Sequence, residues 1–125
     1  MKDLIGHETA AVYASWFRCL AEPTRLRILH ALACARRPMR VGELAEAVGV
    51  AQSTVSVHLR RLLDDEFVLV ERIGTASWFT LNESCIEQFP AAAKQVMGSL
   101  TGYAPAPASA VPPWRERAGG PAGPA

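Results

Sequence analysis

The stretch Val41-Gly-Glu-Leu-Ala-Glu-Ala-Val-Gly-Val-Ala-Gln-Ser-Thr-Val-Ser-Val-His-Leu-Arg-Arg-Leu-Leu63 decides the fold. It reads as two short helices joined by a tight turn. Leu44, Ala45 and Val48 give the first helix an apolar stripe, and Gly49 stops it, as glycine does past a helix C-terminus. Ala51-Gln52-Ser53 starts a second helix. On a wheel of about 100° per residue, Val55, Leu59, Leu62 and Leu63 share one arc. Ser53, Val57, Arg60 and Arg61 take the opposite side. The first arc is built for burial. The second offers hydroxyls, a methyl surface and two guanidinium groups, which suit the major groove of DNA: arginine forks match guanine edges or phosphates, and an exposed valine meets a thymine methyl.

Working outward, Thr9 to Leu20 predicts a helix with Val12, Trp16 and Leu20 in a stripe and Tyr13 and Phe17 beside it. Glu22-Pro23 restarts the chain, since proline suits a first helical position. The second helix runs to about Ala35, burying Ile28, Leu29 and Leu32, and Arg36-Arg-Pro38 breaks it. After Phe67 the period changes to that of strands. Val68–Arg72 and Ala76–Leu81, separated by Ile73-Gly74-Thr75, predict a hairpin with Arg72 and Thr75 near its tip. Asn82 caps a last helical segment. Pro90 removes a hydrogen bond there, so that helix is either kinked or restarts. The expected fold is mainly α with a β-hairpin wing.

Four runs, in consistent order and spacing over residues 10–98, carry a resemblance. They are Leu20-Ala-Glu-Pro-Thr-Arg-Leu-Arg-Ile-Leu29, Val41-Gly-Glu-Leu44, Gln52-Ser-Thr-Val-Ser-Val-His-Leu59 and Gly74-Thr-Ala-Ser-Trp-Phe-Thr-Leu81. Together they resemble the ArsR/SmtB family of bacterial repressors. The resemblance implies a winged helix–turn–helix homodimer, with the first and last helices paired across the dimer. It also implies a protein that leaves its double-stranded DNA operator when a metal or other small inducer binds. The expected DNA-binding residues are Gln52, Ser53, Thr54, Ser56, Val57, His58, Arg60 and Arg61 on the recognition helix, with Arg72 and Thr75 on the wing. His58 stands on the flank of the helix, where packing is an alternative role.

Composition sets the outer bounds. At 125 residues with 50% hydrophobic content, the chain suffices for one domain, expected over residues 1–102. The net charge of +1 says nothing of nucleic acid by itself. Locally, Arg36, Arg37, Arg40, Arg60 and Arg61 face only Glu43 and Glu46, and this basic patch is the relevant footprint. Residues 103–125 hold six Pro, seven Ala and three Gly, a composition expected to be disordered. No leader and no membrane span are visible, so a cytoplasmic protein is expected, with its three cysteines as free thiols. No nucleophile–base pair, paired carboxylates or phosphate loop points to an enzyme.

The cysteines are the expected inducer ligands, because thiolates suit soft ions. Cys19 lies at the edge of the first helix's apolar stripe. Cys85 falls in the first turn after Asn82, where backbone N–H groups and the helix dipole favour a thiolate. Cys34 is expected to be exposed, four residues after His30 on one face. A continuous second helix would hold Cys19 and Cys34 on the order of 16 Å apart, so they would not share an ion within one subunit. The cysteine pair that the family resemblance implies before the reading head is replaced by Glu43-Leu-Ala-Glu-Ala47. The last helix also lacks the histidines of zinc-type sensors. The expected inducer is therefore mercury(II) or an organomercurial on Cys19 and Cys85, with arsenite, which prefers three thiolates, recruiting Cys34. Two alternatives stand beside this. One is a thiol repressor released when Cys19 and Cys85 are oxidised. The other is a winged-helix module that binds protein.

Overall fold

A computed structural model describes residues 4–98; the Pro/Ala-rich segment expected at 103–125 lies outside them. The chain runs α1 (His7–Leu20), α2 (Pro23–Ala35), α3 (Val41–Val48), α4 (Gln52–Asp64), β1 (Val68–Ile73), β2 (Ala76–Leu81) and α5 (Glu83–Met97). The helix ends follow from local chemistry. The Glu22 carboxylate accepts from the Arg25 N–H at 2.8 Å, with Pro23 filling the first helical position of α2. Gly49 closes α3 at φ 71, the left-handed conformation that a side chain resists. The Asn82 side chain accepts from the Ser84 N–H at 3.1 Å and opens α5.

One core joins these elements. Ile28 and Leu32 from α2 meet Leu44, Ala45 and Val48 from α3 and Val55, Leu59 and Leu62 from α4, closed off by Phe67, Val68 and Phe79. Burying each of the large side chains is worth about 1.5–3 kcal/mol. The wing is an antiparallel pair with Val68 opposite Leu81 and Ile73 opposite Ala76. Its two-residue loop has Gly74 at φ 64 while Thr75 keeps a negative φ, as a type II′ turn requires. Met39 adds a bridge to the free side of β2, exchanging backbone hydrogen bonds with Phe79 at 2.9 and 2.8 Å.

The terminal helices sharpen two expectations. The stripe read along α1 is covered unevenly: Val12 stands 50% open, Trp16 and Leu20 are half-buried against the core, and the helix's one buried residue is Cys19. The helix touches the core through its C-terminal end, not along its length. Pro90 lies inside a continuous α5, so of the two expected outcomes the helix does not restart there. Only the bond from residue 90 to the Ile86 carbonyl is lost, on a turn whose side chain is exposed. α5 meets α1 through an edge-on Phe17–Phe89 pair with ring centroids 5.2 Å apart and a Tyr13 hydroxyl donating to Gln95.

Candidate nucleic-acid interface and thiol sites

α4 presents two faces. Val55, Leu59 and Leu62 are buried, while Gln52, Ser53, Thr54, Ser56, Val57 and Arg60 are exposed, Val57 at 70%. The first turn, which leads into a groove in this motif, is open on every side chain from Gln52 to Thr54. Arg72 and Thr75 are exposed at the tip of the wing.

The structure covers one of the expected contacts, His58, and pairs another, Arg61, with a carboxylate. His58 is mostly covered. Its Nδ1 lies 3.3 Å from Arg25 Nη1, and its Nε2 lies 3.7 Å from the Glu22 carboxylate. Arg61 turns back along the helix and donates from Nε to Asp65 at 2.8 Å, and that carboxylate raises the guanidinium's affinity for its proton. The reason is tertiary. The α1–α2 elbow covers the flank of α4, so the buried arc is wider than apolar residues alone indicate.

Arg40 was not singled out by sequence beyond its charge. It is exposed at the start of α3, with its guanidinium 5.7 Å from the centre of the Trp78 ring on the wing. Its neighbour Arg37 is held by Glu43 at 2.7 Å.

The three thiols occupy three different surroundings. Cys19 is fully buried against α4, its Sγ 3.9 Å from the Arg61 carbonyl. Burial, then a hydrogen bond and the negative charge of Asp65, push its pKa up to about 11, against the opposing charges of Arg25 and Arg61. Cys85 is partly buried, with Sγ 3.7 Å from the Phe67 carbonyl. Its thiol is also pushed up, because burial outweighs the hydrogen bond from its own backbone. The thiolate-favouring helix start expected for Cys85 is therefore overturned: packing by neighbouring elements governs its charge. Cys85 opens on a cavity of about 200 Å³ walled by Trp16, Asp65, Phe67 and Phe89. Asp65 thus borders both Cys19 and the Cys85 cavity. Cys34 stands apart, exposed on α2, with its Sγ 3.4 Å from His30 Nε2. Among the described residues, no three His, Cys, Asp or Glu side chains gather as a metal site.

A helix pair with an open second helix, a hairpin wing beside it and a basic rim defines a winged helix–turn–helix DNA-binding protein. Residues 22–69 match the family described as bacterial regulatory protein, arsR family. The chain is 39% identical over 81 residues to the arsenical resistance operon repressor of Bacillus subtilis, covering 65% of this chain and 76% of that one. It is 41% identical over 61 residues to a probable mercury resistance operon repressor of Streptomyces lividans, covering 49% and 47%. Its fold is similar to the homodimeric winged helix–turn–helix DNA-binding domain of a possible ArsR-family regulator from Mycobacterium bovis. That match has a TM-score of 0.59 at 27% identity and covers 78% of this chain and 90% of that one. The chain belongs to the arsR family of bacterial regulatory proteins: it is a DNA-binding transcriptional repressor and not an enzyme. No helix among the described residues is long and apolar enough to cross a membrane.

Proposed function

We propose that this chain is a homodimeric repressor released from a palindromic operator when a thiophilic heavy-metal species binds Cys19 and Cys85. Mercury(II) or an organomercurial would serve as the inducer, and arsenite would do so only by recruiting Cys34 as a third thiolate. One observation carries the reading. Cys19 lies against the backbone of α4, beside Arg61 and Asp65. On this reading, a metal bonded to that sulfur would press on the C-terminal half of the recognition helix.

In the dimer, two α4 helices would sit about one DNA turn apart, ~34 Å. Ser53, Thr54, Ser56 and Arg60 would contact bases and phosphates, with Arg72 and Thr75 on the flanking backbone. Exposed Val12 and Phe17 on α1 and Ile86, Val96 and Met97 on α5 supply the apolar surface for pairing. The named relatives repress arsenical and mercury resistance operons, which supports an inducer of this chemistry. Because both thiols hold their protons at neutral pH, only a ligand that bonds sulfur strongly enough to displace a proton competes. The same burial counts against the oxidation reading, since oxidants attack exposed thiolates. The inducer need favour the free dimer by a coupling of only about 1–3 kcal/mol.

The test is operator binding by a Cys85→Ser variant, with and without mercury(II) and arsenite. The expected outcome is unchanged binding and lost release. Normal release by both would place the inducer site elsewhere.

A further inference from the structure

A second set of soft donors lies on the far side of α2 from Cys19. His30 and Cys34 are one helical turn apart and both exposed, with Nε2 and Sγ 3.4 Å from each other. Metal–sulfur and metal–imidazole bonds of about 2.3 and 2.0 Å, at angles between tetrahedral and trigonal, set the two donors about 3.5–3.8 Å apart. The observed separation is within a small side-chain rotation of that range. A linear ion would need about 4.3 Å from the same bond lengths. The pair borders a groove between α2 and α3, with the buried core residue Met39 in its wall. Met39 is fixed there by its two backbone bonds to Phe79.

Charge selects among ions. Arg27 borders the same groove, with its guanidinium anchored on the Val48 carbonyl at 2.7 Å. A thiolate with a monovalent ion is neutral, whereas a thiolate with a divalent ion leaves a net positive charge beside that arginine. A soft, monovalent, non-linear ion matches thiol and imidazole donors.

We propose that His30 and Cys34 form a copper(I) site on the outer face of α2, separate from the inducer thiols. Binding replaces the Cys34 S–H bond with an S–Cu bond and releases the proton to solvent, while the His30 Nε2 lone pair completes the chelate. The site goes beyond the repressor reading above and does not depend on it.

The experiment titrates the full chain under reducing, anaerobic conditions with copper(I) buffered by the chromophoric chelator bicinchoninate. Wild type is compared with Cys34→Ser and His30→Gln. Both positions are exposed, so the variants should retain the wild-type helical signal and melting temperature. Each variant is expected to lose one tightly held copper(I) relative to wild type. Retention at that position should weaken at least about tenfold, because changes one layer beyond the ligands already cost 10–100-fold. Release from the operator by mercury(II) should stay as in wild type. Unchanged copper(I) stoichiometry and affinity in both variants would overturn the site. So would loss in Cys34→Ser with full retention in His30→Gln, which describes a lone thiol. Tighter binding of zinc(II) than of copper(I) would overturn the charge argument.

Discussion

Asp65→Asn is the most direct probe of how Cys19 is held. In the native chain the thiol is raised from 9.0 to about 11 by burial first and by Asp65 second, through a hydrogen bond and through charge. The substitution keeps the shape of residue 65 and removes its charge, leaving burial and the opposing fields of Arg25 and Arg61. The midpoint for ionisation of Cys19 should then fall by about one pH unit, roughly tenfold more thiolate at a fixed pH. A thiolate of lower pKa is less nucleophilic, with a Brønsted slope of about 0.4–0.5, so the net gain in reactivity is about threefold. The assay is the pH–rate profile of alkylation by iodoacetamide in a Cys34→Ser, Cys85→Ala background, where Cys19 is the lone thiol. Stability follows with a definite sign. Between the unfolded midpoint and the folded one, the unfolded chain binds fewer protons. Folding stability therefore falls as pH rises from 9.0 towards about 11. The full loss is about 2–3 kcal/mol at 1.36 kcal/mol per pH unit, and Asp65→Asn should shrink it by about half. A profile that does not move between the two proteins, with melting temperatures equal, would refute the role given to Asp65. A midpoint near 9 in both would refute burial as its cause.

Arg60→Ala should weaken operator binding at least about tenfold and flatten the slope of log K against log salt by about 1, read by fluorescence anisotropy. Arg61→Ala, whose guanidinium is held by Asp65, should leave that slope unchanged. Glu66 sits at φ 61, so Glu66→Gly should relieve a left-handed strain of about 1–2 kcal/mol against a glycine entropy cost of about 0.5–1, a net rise in melting temperature of a few degrees by calorimetry. Val96→Glu on the exposed side of α5 should convert the dimer to monomer in sedimentation velocity without lowering the helical signal.

Local periodicity carried the reading head. The buried arc of Val55, Leu59 and Leu62 and the stop at Gly49 depend on neighbours within the same two helices, and both are where the pattern puts them. The hairpin was legible for the same reason, since Gly74 and the strand-forming runs around it are contiguous. What escaped depends on distant partners. His58 takes the packing role that stood as its alternative, and the partners that cover it, Glu22 at the cap of α2 and Arg25 in its first turn, are distant in sequence. Cys85 looks like an activated thiol until Phe67 and Phe89 wall it in, and desolvation then reverses the sign that a helix start implies. Met39 follows a proline and reads as part of a break, yet it pairs with β2 because Phe79 leaves an edge to fill. The α1 stripe was read correctly as apolar.

The bonding around α4 is uneven along its length, and this bears on how a ligand at sulfur would act. The Cys19 carbonyl accepts from Arg25, Arg25 meets His58, the Cys19 sulfur faces the Arg61 carbonyl, and Asp65 joins Arg61 to Ser15 on α1. The last half of α4 is thus tied to the α1–α2 elbow, whereas Gln52, Ser53 and Thr54 in its first turn are exposed and only Val55 there is buried. A helix of 13 residues is a rigid lever of about 20 Å. On the proposed mechanism, a ligand that pushes the tied end by 1 Å about a pivot near Leu59 moves the free end by a comparable distance. Good N–H···O bonds span only about 2.7–3.2 Å, so a shift of that size removes Ser53 and Thr54 from hydrogen-bond range of a phosphate or base. Release would then need no unfolding, only a small rotation applied at the one end of the recognition helix that the thiol touches, with Val55 and Leu62 adjusting within the core.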